Sequence, residues 1–226
     1  MEWAFKVILK PQSSFSSAWI GPILSLWKGT ILSLLTLVLC GFCSNLAFGQ
    51  AIPQDQADKK PFETIRIGGF ASTPLSTRNL DAWTSTYGPG LRVATPFFVG
   101  ELGLMFAMID WTSLEENVPD FSSTLIMADW SVFSSSQNKV KLGAGLRFGN
   151  FFMSFKSLQL AGERNESEVM LSPFVKARRT VFKQVEVFGE LSAARVFTQP
   201  YVDLLQVSAG LSVTVGAPSW LKEVLR

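Results

Sequence analysis

The stretch VKLGAGLRFG, residues 140–149, alternates without exception. Val140, Leu142, Ala144, Leu146 and Phe148 are apolar, whereas Lys141, Gly143, Gly145, Arg147 and Gly149 are charged or have no side chain. Successive side chains of a strand point to opposite faces, so this stretch makes a strand with one apolar face and one face of long cations set between glycines. A fold that accepts it must place the cations either in bulk water or inside a closed structure.

The alternation recurs. Val207, Ala209, Leu211, Val213 and Val215 alternate with Ser208, Gly210, Ser212 and Thr214, and Val185, Val187, Leu191 and Ala193 alternate with Glu186, Phe188, Glu190 and Ser192. Ile126, Ala128, Trp130 and Val132 oppose Met127, Asp129 and Ser131; Leu102, Leu104, Phe106 and Met108 oppose Glu101 and Gly103. Val169, Leu171, Val175 and Ala177 oppose Ser172, Lys176 and Arg178, with Met170 and Phe174 as exceptions, and Pro173 calls for a bulge or a strand end. Eight strand segments follow, near 62–71, 88–95, 97–110, 121–133, 139–155, 168–179, 185–197 and 204–215, with no helical period before the C-terminal tail. Links at 72–87, 111–120 and about 157–167 are long, and those near Pro96, at 134–138 and at 180–184 are short. Long and short links in turn describe an antiparallel up-and-down meander with long loops at one end.

The N-terminus sets the compartment. Residues 31–43 are an apolar run behind Lys28, and Ala47 and Gly49 occupy the −3 and −1 positions of a cut before Gln50. This is the pattern of a secretory signal peptide; the competing reading is a membrane anchor over Trp19–Cys43. The expected organisation is a signal over 1–49, a polar lead over 50–61, one barrel domain over 62–215 and a short tail over 216–226. Leu39 and Phe42, preceding Cys40 and Cys43, do not suit a lipid-modified cysteine, so both cysteines leave with the signal. The remaining chain has 17 Lys and Arg against 17 Asp and Glu, no Cys and no His. Disulfides, common zinc ligand sets and Ser-His or Cys-His catalysis are thereby excluded, no cofactor is implied, and nothing is basic enough for nucleic acid.

Two barrels accept eight such strands: a soluble lipocalin-like one with the polar face outward, and a membrane one with the polar face inward. Three glycines on one polar face weaken a solvated strand for no return, but make room inside a narrow barrel. The membrane barrel is therefore preferred. Its inward charges are expected at Arg66, Arg92, Glu101, Asp129, Lys141, Arg147, Lys176, Arg178, Glu186 and Glu190, paired across the lumen because unpaired burial is costly. Trp111, Phe97, Phe98, Phe151, Phe152, Phe155, Phe182, Phe197 and Tyr201 near strand ends read as interfacial aromatic girdles.

With these features the chain resembles the small outer-membrane β-barrel proteins of Gram-negative bacteria, the OmpA-like and OmpX-like group, over 62–215. The last strand carries Ser208, Gly210, Val213 and Val215 at the spacing of that group's insertion signal. It departs from the signal in having valines where an aromatic is usual and in running on into GAPSWLKEVLR, read as a short amphipathic turn around Trp220, Leu221 and Leu225. The resemblance implies an eight-stranded transmembrane β-barrel in the outer membrane, monomeric, bathed in outer-membrane lipid, inserted by the outer-membrane assembly machinery, with any surface ligand met by the outer loops. A structural or surface-interaction role leads. A narrow porin-like channel and a secreted soluble ligand-binding barrel are the alternatives. An enzyme is disfavoured: Glu115 and Glu116 read as solvated loop charge, and Glu186 and Glu190 as salt-bridge partners of Lys176 or Arg178.

Overall fold

The computed structural model describes residues 61–134, 140–157 and 165–224. The signal peptide, its cleavage residues Ala47 and Gly49, nearly all of the polar lead, and Leu225 lie outside them.

The strands are β1 (Thr64–Arg78), β2 (Trp83–Ser85), β3 (Gly88–Phe97), β4 (Gly100–Ser113), β5 (Phe121–Phe133), β6 (Val140–Phe155), β7 (Asn165–Phe182), β8 (Val185–Val196) and β9 (Val202–Gly216). The tail forms a short helix, α1 (Ser219–Val224), where a turn was expected. Every pairing is antiparallel. β1 pairs with β9 from Thr64↔Gly216 to Arg78↔Asp203, and β4 pairs with β5, so the sheet closes on itself. β2 and β3 both lie against β4 and act as one interrupted staff, which makes an eight-stranded up-and-down barrel among the described residues. Closure leaves no free edge, the condition for a sheet in lipid.

All eight expected segments are strands, but several run further. β1 continues to Arg78, and β2 takes up Trp83–Ser85, so most of the expected 72–87 loop is sheet. β7 begins at Asn165 rather than near 168, and the loop after β4 starts at Leu114. Polar outward residues in these extensions hid them, because they read as loop. Two-residue turns, Phe98–Val99 and Lys183–Gln184, mark one end of the barrel, with Phe98 and Lys183 at positive φ as tight hairpins require. Pro173 causes no bulge. It pairs with Leu146 on β6 without a shift, while β8 pairing merely lapses between Leu171 and Phe174. The missing N–H costs little because the gap falls on one neighbour only.

The outer wall has two zones. Next to the short turns it is apolar: Leu91 and Val93, Leu102 to Met108 at alternate positions, Ile126 and Trp130, Leu142, Leu146 and Phe148, Val187 and Leu191, Leu211 and Val213 are all exposed. Toward the long loops the same outward rows turn polar. Met108 gives way to Asp110 and Thr112, Ile126 to Thr124 and Ser122, and Phe148 to Asn150 and Ser154, with Phe152 between those two the one aromatic left in the β6 row. Ser122 donates to Asp110, and Arg195 donates twice to Asp203, at 2.7 and 3.0 Å. Strands of 13–18 residues in β4–β7 exceed the 9–11 or so that a hydrocarbon span requires.

This boundary has a mutational signature. Leu104, 66% exposed in the apolar zone, changed to Arg is expected to destabilise the barrel by about 2–4 kcal/mol in bilayers. Thr112→Arg, on the same face of β4 but in the polar zone, is expected to stay within about 0.5 kcal/mol. Urea titration in phospholipid vesicles reads both.

Candidate functional site

The interior is also divided, in the opposite sense. Beside the apolar wall it holds charge. Arg92 and Asp129 form a bidentate pair, Nε to Oδ2 at 2.8 Å, with Asp129 2% exposed. Glu190 accepts from Arg147 Nη2 at 2.6 Å and meets Lys176 Nζ at 2.8 Å. Glu101 accepts from Arg178 at 2.6 Å and from Arg66, whose Nε also lies 3.0 Å from Glu186. Nine of the ten residues expected to line the lumen thus meet in three clusters. Lys141, the tenth, lines a cavity with Arg66, Glu101 and Arg178. Of the two expected partners, Glu190 does take Lys176, whereas Glu186 takes Arg66, and Arg178 takes Glu101, which reaches across the lumen from β4. Glu115 and Glu116 are exposed in the loop after β4.

The glycines of β6 do make room, but for rings rather than for Lys and Arg as expected. A Cβ at Gly143 would run into the Phe133 ring, and one at Gly145 into the Phe174 ring. Those rings carry the cations. Arg178 lies 3.6 Å over Phe133, and Arg147 lies 4.1 Å over Phe174. A guanidinium on an aromatic face gains electrostatically where water is scarce. Phe174, an exception to the period of its strand, is thereby an inward residue with a task.

Toward the long loops the interior is apolar, and it begins where the outer wall still is, with Met105 and Ala107 between the outward Leu104, Phe106 and Met108. Met105, Ala107, Ile109 and Trp111 of β4 pack with Phe121, Leu125 and Met127 of β5, Phe151, Met153 and Phe155 of β6, Met170, and Val196, Val202 and Leu204. Trp111 stacks on Phe121 at 9° with centroids 5.5 Å apart, and Trp83 meets the same ring edge-on. Trp111 Nε1 donates to Ser123 Oγ, and Trp83 Nε1 to the Pro119 carbonyl, so both indoles are satisfied. Leu80 and Val118, from the long-loop end, join this core and cap it. Trp111, Phe151 and Phe155 are therefore core residues, not girdle residues. Phe98, Phe152, Phe182, Phe197 and Tyr201 do face outward.

This core was not foreseen. Around Leu104–Ile109 the chain is apolar at every position, so alternation assigns one face and says nothing of the other. Met170, set aside as an exception, was the one visible sign. At the C-terminus, Ser208 faces inward and buried while Val213 and Val215 face outward and exposed. They alternate as a strand must, and nothing in the geometry tests a role in insertion.

No family model and no curated protein matches the chain. Solved structures do. Neisserial surface protein A is 14% identical over 69% of this chain and 99% of its own, with a TM-score of 0.50. Ail, the attachment invasion locus protein of Yersinia pestis, is 14% identical over 69% of this chain and 100% of its own, TM-score 0.44. The N-terminal β-barrel domain of Pseudomonas aeruginosa OprF is 8% identical over 69% and 100%, TM-score 0.43. The chain has the fold of the small eight-stranded outer-membrane β-barrels.

Asp129→Ala leaves Arg92 buried without its partner and is expected to cost about 3–5 kcal/mol, whereas the double change Arg92→Met with Asp129→Leu is expected to recover most of it. Equilibrium unfolding of the three variants checks this. A double variant no better than the single one would mean that the pair is not the local determinant.

Proposed function

We propose that the protein is a monomeric outer-membrane barrel with a structural or surface-interaction role, and that its lumen does not conduct. One observation carries this: a wall that is apolar outside and ion-paired inside in one zone, continued by an apolar core that fills the other. The first zone suits hydrocarbon, and the second suits a rim standing in water. The outer-membrane assembly machinery is the expected route of insertion after export.

A continuous ion path would have to cross the core of Trp111, Phe121, Phe151 and Met170, each about 1% exposed. Eight strands leave an interior just wide enough to be filled by side chains. Absence of His removes the usual acid-base group, and the inward carboxylates are engaged by cations, which favours a non-enzymatic role.

The long-loop end is where recognition would occur, since loops on a rigid scaffold are free to vary. Among the described residues it presents Asp81, Asp110, Glu115, Glu116, Asp120, Glu166, Glu168 and Asp203 against Arg78, Lys156 and Arg195. Such an acidic rim repels polyanions and favours cationic partners.

Two measurements test the proposal. In planar bilayers the purified barrel is expected to give no stable conductance steps; regular steps would reinstate the channel reading. In intact cells a membrane-impermeant maleimide is expected to label Glu116→Cys and to spare Lys183→Cys. Labelling of the second alone would invert the orientation.

A further inference from the structure

The outward polar zone above the apolar wall differs from one side of the barrel to the other. On β4–β7 it holds Asp110, Ser122, Asn150 and Ser167 and, among the described strand residues, no cation. On β8, β9 and β1 it holds Arg195, Asp203 and Arg78, which are direct cross-strand partners in one line. The line sits at the edge of the apolar wall. Leu191 and Ala193 of β8, and Leu205 and Val207 of β9, lie directly below it on the same outward face.

Asp203 fixes one of the two cations. Arg195 donates to it from Nε and Nη2 at 2.7 and 3.0 Å, which leaves Nη1 unspent. Arg78 Nη1 stands 4.0 Å from Asp203 Oδ2, outside hydrogen-bond reach, and its guanidinium donates to no group among the described residues. Both arginine side chains are about half exposed. Two guanidiniums share one carboxylate, so the line carries one net positive charge. Tyr201 stands beside it, with Arg195 5.6 Å over its ring and Phe197 edge-on at 6.0 Å. Asn79, next to Arg78, donates at 2.5 Å to the Tyr201 carbonyl and ties the turn after β1 to the loop before β9.

We propose that this line binds the phosphate of a lipid headgroup in the surrounding leaflet, an inference that rests on the outer-membrane reading above. Exposed aromatic rings and guanidiniums at the edge of an apolar wall stand at headgroup depth. A guanidinium matches phosphate oxygens by two parallel hydrogen bonds. Arg78 supplies such a fork and Arg195 a further donor in Nη1, while Asp203 between them holds Arg195 in place. The apolar wall directly below takes the acyl chains of the same molecule. A free phosphate ion finds the same donors but no such wall, so the lipid is the occupant. The acidic rim leaves this one sector open to an anion.

The test is native mass spectrometry of the full barrel, released from nonionic detergent that contains equal amounts of phosphatidic acid and phosphatidylcholine. Retention of one phosphatidic acid per barrel, in preference to phosphatidylcholine, is expected. Arg78→Gln is expected to lower that retention at least about fivefold. Lys156→Gln, which removes the same charge from the same end of the barrel but beside β6, leaves it unchanged. Gel mobility before and after boiling verifies that each variant is folded. Should Arg78→Gln not fold, Arg78→Lys keeps the charge, loses the fork and is expected to weaken retention likewise. Equal retention of the two lipids by the folded wild type overturns the proposal, as does retention that the Arg78 and Lys156 variants lower alike. Binding of inorganic phosphate with no preference for phosphatidic acid assigns a free ion and also overturns it. Flotation with phosphatidylcholine vesicles separates this failure from that of the outer-membrane reading. A barrel that floats without lipid preference refutes the phosphate site alone, and one that stays behind refutes the membrane reading itself.

Discussion

If the barrel sits in a membrane as proposed, its outer wall meets two solvents, and the rest of the structure follows from where one gives way to the other. Between Met108 and Asp110 on β4, and between Ile126 and Thr124 on β5, the outward rows pass from apolar to polar. Below that line an apolar interior would gain nothing from the hydrophobic effect, because the exterior is as apolar as the inside. Above it the wall is polar and suits water, and burying Trp111, Phe121, Phe151 and Phe155 contributes about 1.5–3 kcal/mol for each side chain. The inside is therefore organised mainly by charge toward the short turns and by apolar packing toward the long loops, and the two overlap around Leu104–Ile109, where both faces are apolar. The upper zone is built like a soluble barrel and the lower zone like its inverse.

The charged zone holds together by sharing. Two of its carboxylates, Glu101 and Glu190, each serve two cations, and Asp129 holds Arg92 by a two-point contact. Arg147 and Arg178, besides their carboxylate partners, rest on the aromatic faces of Phe174 and Phe133, for which glycines of the neighbouring strand make room. Removing one member of such a set leaves a buried charge unmet, so the clusters act as units rather than as independent pairs.

Much of this was legible. Period-two alternation located all eight staves, and the types on the polar face of β6 pointed inward correctly, since a solvated strand does not want Gly143, Gly145 and Gly149 together. The charge set from Arg66 to Glu190 came from the same rows. What escaped reading had physical causes. Alternation fails where both faces are apolar, so the core around Met105, Ile109 and Trp111 was invisible, and Trp111, Phe151 and Phe155 passed for girdle aromatics. The strand extensions at Ser72–Arg78 and Asn165–Ser167 look like loops because they are made mostly of Ser, Thr, Asn and Glu. Pairing partners across the lumen depend on barrel stagger, which no local pattern encodes; hence Glu101, distant in sequence, and not a carboxylate of the adjacent strand, meets Arg178.

The central claim is the change of solvent along the wall. Spin labels placed singly at the outward positions 102, 104, 106, 108, 110 and 112 of β4, in lipid vesicles, measure it by collision with oxygen, which concentrates in hydrocarbon, and with a water-soluble nickel chelate. Oxygen should dominate through 108 and the chelate from 110 onward. Chelate access along the whole row would mean a barrel in water, and oxygen dominance through 112 would mean that the apolar core lies within the membrane; either would contradict the account.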